Sequence, residues 1–182
     1  MLNAAIWNVR GLNKRDHQLA VKDIVAVFLL QFLGLLETHV RPTNINVIQS
    51  FLLPQWKWFV DYELVGNQAR IAWDENFIDV HVVECRAQFV HCCVHVRSLN
   101  ESLAITVIYG ATEVATRREL WEALEINSIQ NSDTPWLIGG DFNAVRDMRE
   151  ICRALVDIRV AMEEFNGCID NTGLLPLPMQ GE

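Results

Sequence analysis

An α/β sandwich, two packed β-sheets with helices outside them, is the fold class this sequence predicts. Two observations indicate it. Helical segments are mixed with hairpin-linked strands, a mixture that buries its apolar faces by packing in layers. Three apolar strand segments also finish on a polar, oxygen-bearing residue at the C-terminal end, namely Asn8, Glu37 and Asp141. In sheets of this kind that end is where ligands bind.

Taken in order, residues 3–9 (NAAIWNV) read as a short strand broken by Gly11-Leu12-Asn13. Asp16 is a reasonable N-cap for a helix with Leu19, Ile24, Val27 and Phe28 on one side. Residues 32–36 make a second buried strand ending in Glu37-Thr38, and Arg41-Pro42-Thr43 opens a short helix through about Phe51. The middle is β-rich: residues 56–62, 68–73, 78–84, 89–96 and 103–109 read as strands between Gly or charged breaks. Residues 113–130 are helical, with Leu120, Leu124 and Ile126 to Ile129 as the apolar side. Thr134-Pro135 precedes an apolar strand, residues 136–138, that runs into Gly139-Gly140-Asp141. A last helix over residues 158–168 carries Val160, Met162 and Phe165. No repeat, low-complexity tract or Ser/Gly linker marks a boundary, so a single domain over 1–182 is expected.

Composition narrows the function. Half of the chain is apolar (51%) and 21% is charged, which is a globular balance. The net charge of −8 excludes a purely electrostatic DNA binder, and a nucleic acid would need a local basic face. It does not exclude a nuclease, whose metal site needs carboxylates. Five cysteines, with no CxxC and no secretory signal pattern, point to free thiols in a reducing, intracellular setting. The greasiest stretch, residues 24–36, is shorter than the about 20 apolar residues a membrane span needs, so no membrane partner is expected.

Glu37 and Asp141 can supply carboxylates and Asn8 an amide oxygen to Mg²⁺, a hard cation that favours such donors together with waters and substrate phosphate; Mn²⁺ is a possible substitute. A metal there polarises a phosphoryl oxygen and lowers the pKa of a bound water. Singly, each residue is also an ordinary strand end or loop cap.

Together they fall into a known order. Residues 6–13 (IWNVRGLN), 34–38 (GLLET), 107–110 (VIYG) and 137–143 (LIGGDFN) resemble the successive signature blocks of the endonuclease/exonuclease/phosphatase superfamily. The opening and the Leu-Leu-Glu-Thr block resemble most closely the endonucleases of plant-type non-LTR (LINE-like) retrotransposon reverse transcriptases. The resemblance implies roles residue by residue. Glu37 is the main metal ligand, with Asn8 beside it. Asp141 orients or activates the attacking water, Asn143 fixes Asp141 and the phosphate, and Tyr109 contacts the phosphate. DNA is the partner it implies. Arg10, Lys14 and Arg15, then Arg117 and Arg118, then Arg146, Arg149 and Arg153 follow the motif strands. These are eight of the fifteen Lys and Arg residues, placed to form a cationic rim for a nucleic-acid backbone.

The pattern also departs from the family. Relatives continue with an aromatic-rich strand, a loop Asp and a Ser-Asp-His block, and residues 144–182 contain none of these; no histidine follows His95. The expectation is therefore a sandwich missing its last strands, with impaired nicking, since general acid–base help contributes about 10²–10⁴-fold. An unpaired sheet edge then invites self-association. Thr112 stands near where relatives carry a contact Asn, and the strand at Arg70-Ile71-Ala72-Trp73 is about two residues short, a shift that keeps its alternation. Two other functions fit the same motifs: a non-catalytic remnant that binds nucleic acid or nothing, and a phosphatase of the same superfamily. His91, Cys93 and His95 share one strand face and carry zinc-type donors. Same-face residues of one strand stand too far apart to wrap a tetrahedral ion, so a mixed-polarity sheet face is the better account.

Overall fold

The computed structural model describes residues 1–60, 69–147 and 156–178, with the side chains of residues 156–158 left aside. It divides into two units, residues 1–109 with 133–141 and residues 110–132 with 142–182.

The first unit is the sandwich. Its strands are β1 (Ala4–Asn8), β2 (Phe32–Leu36), β3 (Lys57–Phe59), β4 (Arg70–Trp73), β5 (Ile78–Arg86), β6 (Phe89–Val96), β7 (Glu101–Tyr109) and β8 (Trp136–Asp141). One sheet runs β1-β2-β4-β3 and the other β5-β6-β7-β8. The pairs β1–β2 and β7–β8 are parallel, and the rest are antiparallel. Parallel neighbours need a crossover, and each pair has a helix between its strands in sequence. Between β1 and β2 it is α1 (Arg15–Val27), and between β7 and β8 it is α3 (Val114–Gln130). A 3-10 turn (Pro42–Asn44) leads into α2 (Ile45–Leu52).

Alternation along each strand sorts residues into two cores. Phe32, Leu36, Ile71, Val90, Cys92, Val94, Ile105 and Val107 fill the space between the sheets. Leu33, Leu35 and Ala72 face the other way, against Val21 of α1 and Ile45, Ile48 and Leu52 of α2. Two glycines mark close approach of the sheets. A Cβ on Gly34 would stand 3.0 Å from both Val107 methyls, and one on Gly139 would stand 2.9 Å from Ile6 Cδ1.

The second unit contains α3 and α4 (Val156–Thr172). Its core is aromatic: Trp121, Phe142 and Phe165 have ring centroids 5.1–6.5 Å apart. Burial holds the Cys92 and Cys168 thiols up at about 12, so both behave as apolar side chains. Among the described residues, Cys85, Cys92, Cys93 and Cys168 form no disulfide. No helix among the described residues is long and apolar enough to cross a membrane.

The sandwich and its strand order along the chain follow the sequence expectation, whereas three helix faces differ. In α1 the buried residues are Gln18 and Val21, and Lys14 rather than Asp16 is the N-cap; Leu19, Val27 and Phe28 are exposed. Gln18 tolerates burial because its amide donates to the Leu12 carbonyl at 2.7 Å. In α3, Ile126 and Ile129 are exposed, while Arg117, Leu120, Trp121, Ala123, Leu124 and Asn127 are buried. In α4 the buried set is Ala161, Phe165 and Cys168, with Val160 exposed. The expected strand over 56–62 is observed as Lys57–Phe59, its last two residues lying outside the described residues, as do Gln68, Arg149, Cys152 and Arg153.

Candidate active site

Three inward-facing rows of the first unit end together. Ala4 and Ile6 lead along β1 to Asn8; Leu103, Ile105 and Val107 lead along β7 to Tyr109; Leu137 and Gly139 lead along β8 to Asp141. Each row is apolar until its final member, because the core closes there and side chains beyond it meet water. Parallel register places Tyr109 beside Asp141, and Asn8 beside Leu36, which precedes Glu37.

Hydrogen bonds tie the four together. The Asn8 amide nitrogen donates to Glu37 Oε1 at 2.9 Å and to Asp141 Oδ2 at 3.3 Å. The Tyr109 hydroxyl donates to the same Glu37 oxygen at 3.3 Å. Two carboxylates thus share one small volume, with neutral donors between them. Burial first, then the charge of Glu37, its hydrogen bond and the charge of Asp141, push the Tyr109 phenol above its ordinary value. Tyr109 therefore stays protonated and remains a donor.

The backbone here is unusual. Arg10 (φ 47°), Glu37 (φ 50°) and His39 (φ 48°) are all left-handed non-glycine residues, a conformation that persists only where surroundings over-determine it. Gly140, at φ 139°, is the residue before Asp141; a Cβ there would land on the Ile108 carbonyl, so β8 can deliver Asp141 only through a glycine. Sequence reasoning had not singled out His39, whose Nε2 lies 3.8 Å from Glu37 Oε2. Its place two residues beyond Glu37 was the only available signal.

The donor set suits a hard divalent cation. Two carboxylates and an amide converge, and Asn8 would offer its oxygen where it now offers nitrogen, since the amide Oδ1 presently accepts the Arg10 N–H at 3.2 Å. Among the described residues no group of three or more His, Cys, Asp or Glu is placed to hold a metal, so an ion here would complete its shell with amide, water and substrate oxygens. On the zinc-type strand face, His91 Nδ1 lies 2.7 Å from Thr106 Oγ1 and His95 Nδ1 lies 3.1 Å from Ser102 Oγ, so both rings are engaged with hydroxyls of β7.

Of the basic residues expected near the first motif strand, Arg10, Lys14 and Arg15 are all exposed. Arg15 lies over the Phe51 ring, 3.0 Å from its centroid, with Lys22 Nζ 4.5 Å from the same centroid. In the second unit, Asn143 (φ 47°) donates its amide to the Gly110 carbonyl at 2.7 Å. Arg117 is buried and donates to the carbonyls of Ala111 and Thr112 at 2.9 and 3.1 Å. Arg118 pairs with Glu164 at 2.7 Å, and Arg146 bonds Asn166 at 3.2 Å.

Residues 5–173 match the family model described as the Endonuclease/Exonuclease/phosphatase family. No curated protein sequence matches the chain. Among solved structures, the endonuclease domain of TRAS1, a telomere-specific non-LTR retrotransposon, aligns with TM-score 0.69 at 14% identity, over 95% of this chain and 71% of that one. D. rerio TDP2 complexed with a single-strand DNA product aligns with TM-score 0.59 at 15% identity, over 96% and 66%. The mannosyl-6-phosphatase Bt3783 of Bacteroides thetaiotaomicron aligns with TM-score 0.58 at 12% identity, over 92% and 70%. At these identities the likeness is one of fold, and this chain spans about two thirds of the length of each.

Proposed function

The chain belongs to the endonuclease/exonuclease/phosphatase family, and from that premise we propose that it is a Mg²⁺-dependent phosphodiesterase that nicks DNA, of the non-LTR retrotransposon type. The observation that carries the proposal is the junction of Asn8, Glu37, Tyr109 and Asp141 at the mouth of the intersheet core. Support for a nucleic-acid substrate comes from the fold shared with a retrotransposon endonuclease and with a TDP2 bound to a DNA product.

Each residue then has a chemical task. Glu37 and Asn8 would hold the cation, which would supply charge neutralisation and lower the pKa of a bound water. Asp141 orients the attacking water and accepts its proton. Tyr109, kept protonated by its surroundings, donates to a phosphoryl oxygen as negative charge accumulates. Asn143 steadies the segment after Asp141 through its bond to the Gly110 carbonyl. Arg10 and Lys14 contact flanking phosphates, and Arg15 does so from its stacked position over Phe51. Arg117, Arg118 and Arg146 are already engaged, with the Ala111 and Thr112 carbonyls, Glu164 and Asn166 respectively.

A phosphatase is the second reading, favoured by the shared fold with a sugar-phosphate phosphatase. Relaxation of supercoiled plasmid with and without Mg²⁺, run beside phosphate release from p-nitrophenyl phosphate, separates the two. Mg²⁺-dependent nicking that Glu37→Gln abolishes is the expected result. Phosphate release without nicking would favour the phosphatase, and neither activity would leave a non-catalytic binding remnant.

A further inference from the structure

We infer that Arg70 is a positioning residue for Glu37, clamping the loop that carries this carboxylate; the inference rests on the reading of Glu37 as metal ligand. Strand order places β2 between β1 and β4, so the loop leaving β2 can be held from two sides. From the β1 side, the Gly11 and Leu12 N–H groups donate to the Glu37 and Thr38 carbonyls at 2.7 and 2.8 Å, and the Asn13 amide donates to the His39 carbonyl at 2.8 Å. From the β4 side comes Arg70, paired in register with Leu35. Its Nε donates to the Thr38 hydroxyl at 2.6 Å and its Nη2 to the Val40 carbonyl at 3.5 Å. The four successive carbonyls from Glu37 to Val40 are thereby all engaged.

The clamp matters because Glu37 and His39 are both left-handed, with buried Thr38 between them. Two such residues separated by one would relax toward ordinary backbone if released, and relaxation at Glu37 swings its carboxylate away from Asn8 and Tyr109. A planar guanidinium suits the task, since its fork reaches a hydroxyl and a carbonyl at once while remaining charged at every relevant pH. Lysine lacks the planar fork and reproduces its geometry only in part. Removing an outer partner that orients a ligand typically weakens metal binding about 10–100-fold.

The test uses the full chain, Mg²⁺ calorimetry and residue-resolved amide exchange. Arg70→Met should raise the Mg²⁺ Kd about tenfold or more and speed exchange at the Gly11 and Leu12 amides, with Arg70→Lys recovering part of both. Thr38→Val removes the bond to the hydroxyl and leaves the one to the Val40 carbonyl, so it should act in the same direction but less. The double variant should be little worse than Arg70→Met alone, because the Arg70–Thr38 bond is common to both. Val94→Ala, in the remote intersheet core, sets how far lost global stability alone moves each readout. Wild-type affinity in Arg70→Met, together with exchange no faster than in Val94→Ala, would overturn the inference. Should Glu37→Gln bind Mg²⁺ as well as the wild type, or should the wild type bind none, the ligand reading falls instead. Exchange at Gly11 and Leu12 then decides the clamp by itself.

Discussion

Glu37 and Asn143 are both left-handed residues, and both were read from motif blocks, yet their surroundings differ. Glu37 faces Asn8 and Tyr109 with a charged group, whereas Asn143 gives its amide to a backbone carbonyl. A carboxylate binds a cation directly, and an amide bonded to a carbonyl acts only around it. Glu37→Gln is therefore expected to weaken Mg²⁺ binding at least tenfold more than Asn143→Ala does, as measured by calorimetry. Equal losses would mean that the ligand has been misassigned. Asn8, Glu37 and Asp141 were legible because each ends an apolar run, and Tyr109 only through the resemblance of its motif block. The Arg70 contact was not, because it joins residues 32 positions apart across two strands. Burial of Arg117 was equally hidden, since its charge reads as solvent-facing until the Ala111 and Thr112 carbonyls are seen to take it.

At the scale of single elements, β2 and β6 make the most exposed claims to test. Gly34 lies where the sheets nearly touch, so a side chain there must push Val107 or Ile6 aside. Gly34→Val is expected to cost about 1–3 kcal/mol in urea unfolding, with an unchanged m-value. A neutral effect would mean that the sheets can separate freely. In β6, His91 is buried beside Thr106, whose hydroxyl also accepts the Trp136 indole N–H at 2.8 Å. Burial lowers the His91 pKa from its ordinary 6.5, against an opposing pull from Glu84. The fold thus prefers the neutral ring and the unfolded chain takes up the proton first. Stability contributed by His91 is present above about pH 6.5 and declines as pH falls below it. Urea midpoints between about pH 5 and 7.5 should show that slope, and His91→Gln should flatten it.

Across the whole molecule, two strands of the sandwich end their sheets on parallel pairings, β1 and β8, and neither is fully buried. Val27, Phe28 and Leu29 are exposed at the end of α1, and Asn3, just before β1, donates its amide to the Phe28 and Leu29 carbonyls. An open strand edge beside exposed apolar side chains favours association. Light scattering of the purified chain should show a size that grows with concentration, and Phe28→Lys should reduce it. A monomer at all concentrations would remove the self-association proposal.

By itself the sequence determined the strand order along the chain and the oxygen-bearing ends of β1 and β8. Both are local properties: alternation sets which residues face inward, and an apolar run ending in Asn, Glu or Asp marks where a core meets water. The tertiary structure decided which faces of α1, α3 and α4 are buried, because a helix with apolar residues on several sides takes its face from whatever packs against it. It also decided that Asn8 bridges Glu37 to Asp141, 133 positions away from Asn8, since parallel strands reach one end of a sandwich only after their crossovers are made. The left-handed turn at Glu37 belongs there too, for a glutamate holds that backbone only where its surroundings fix it.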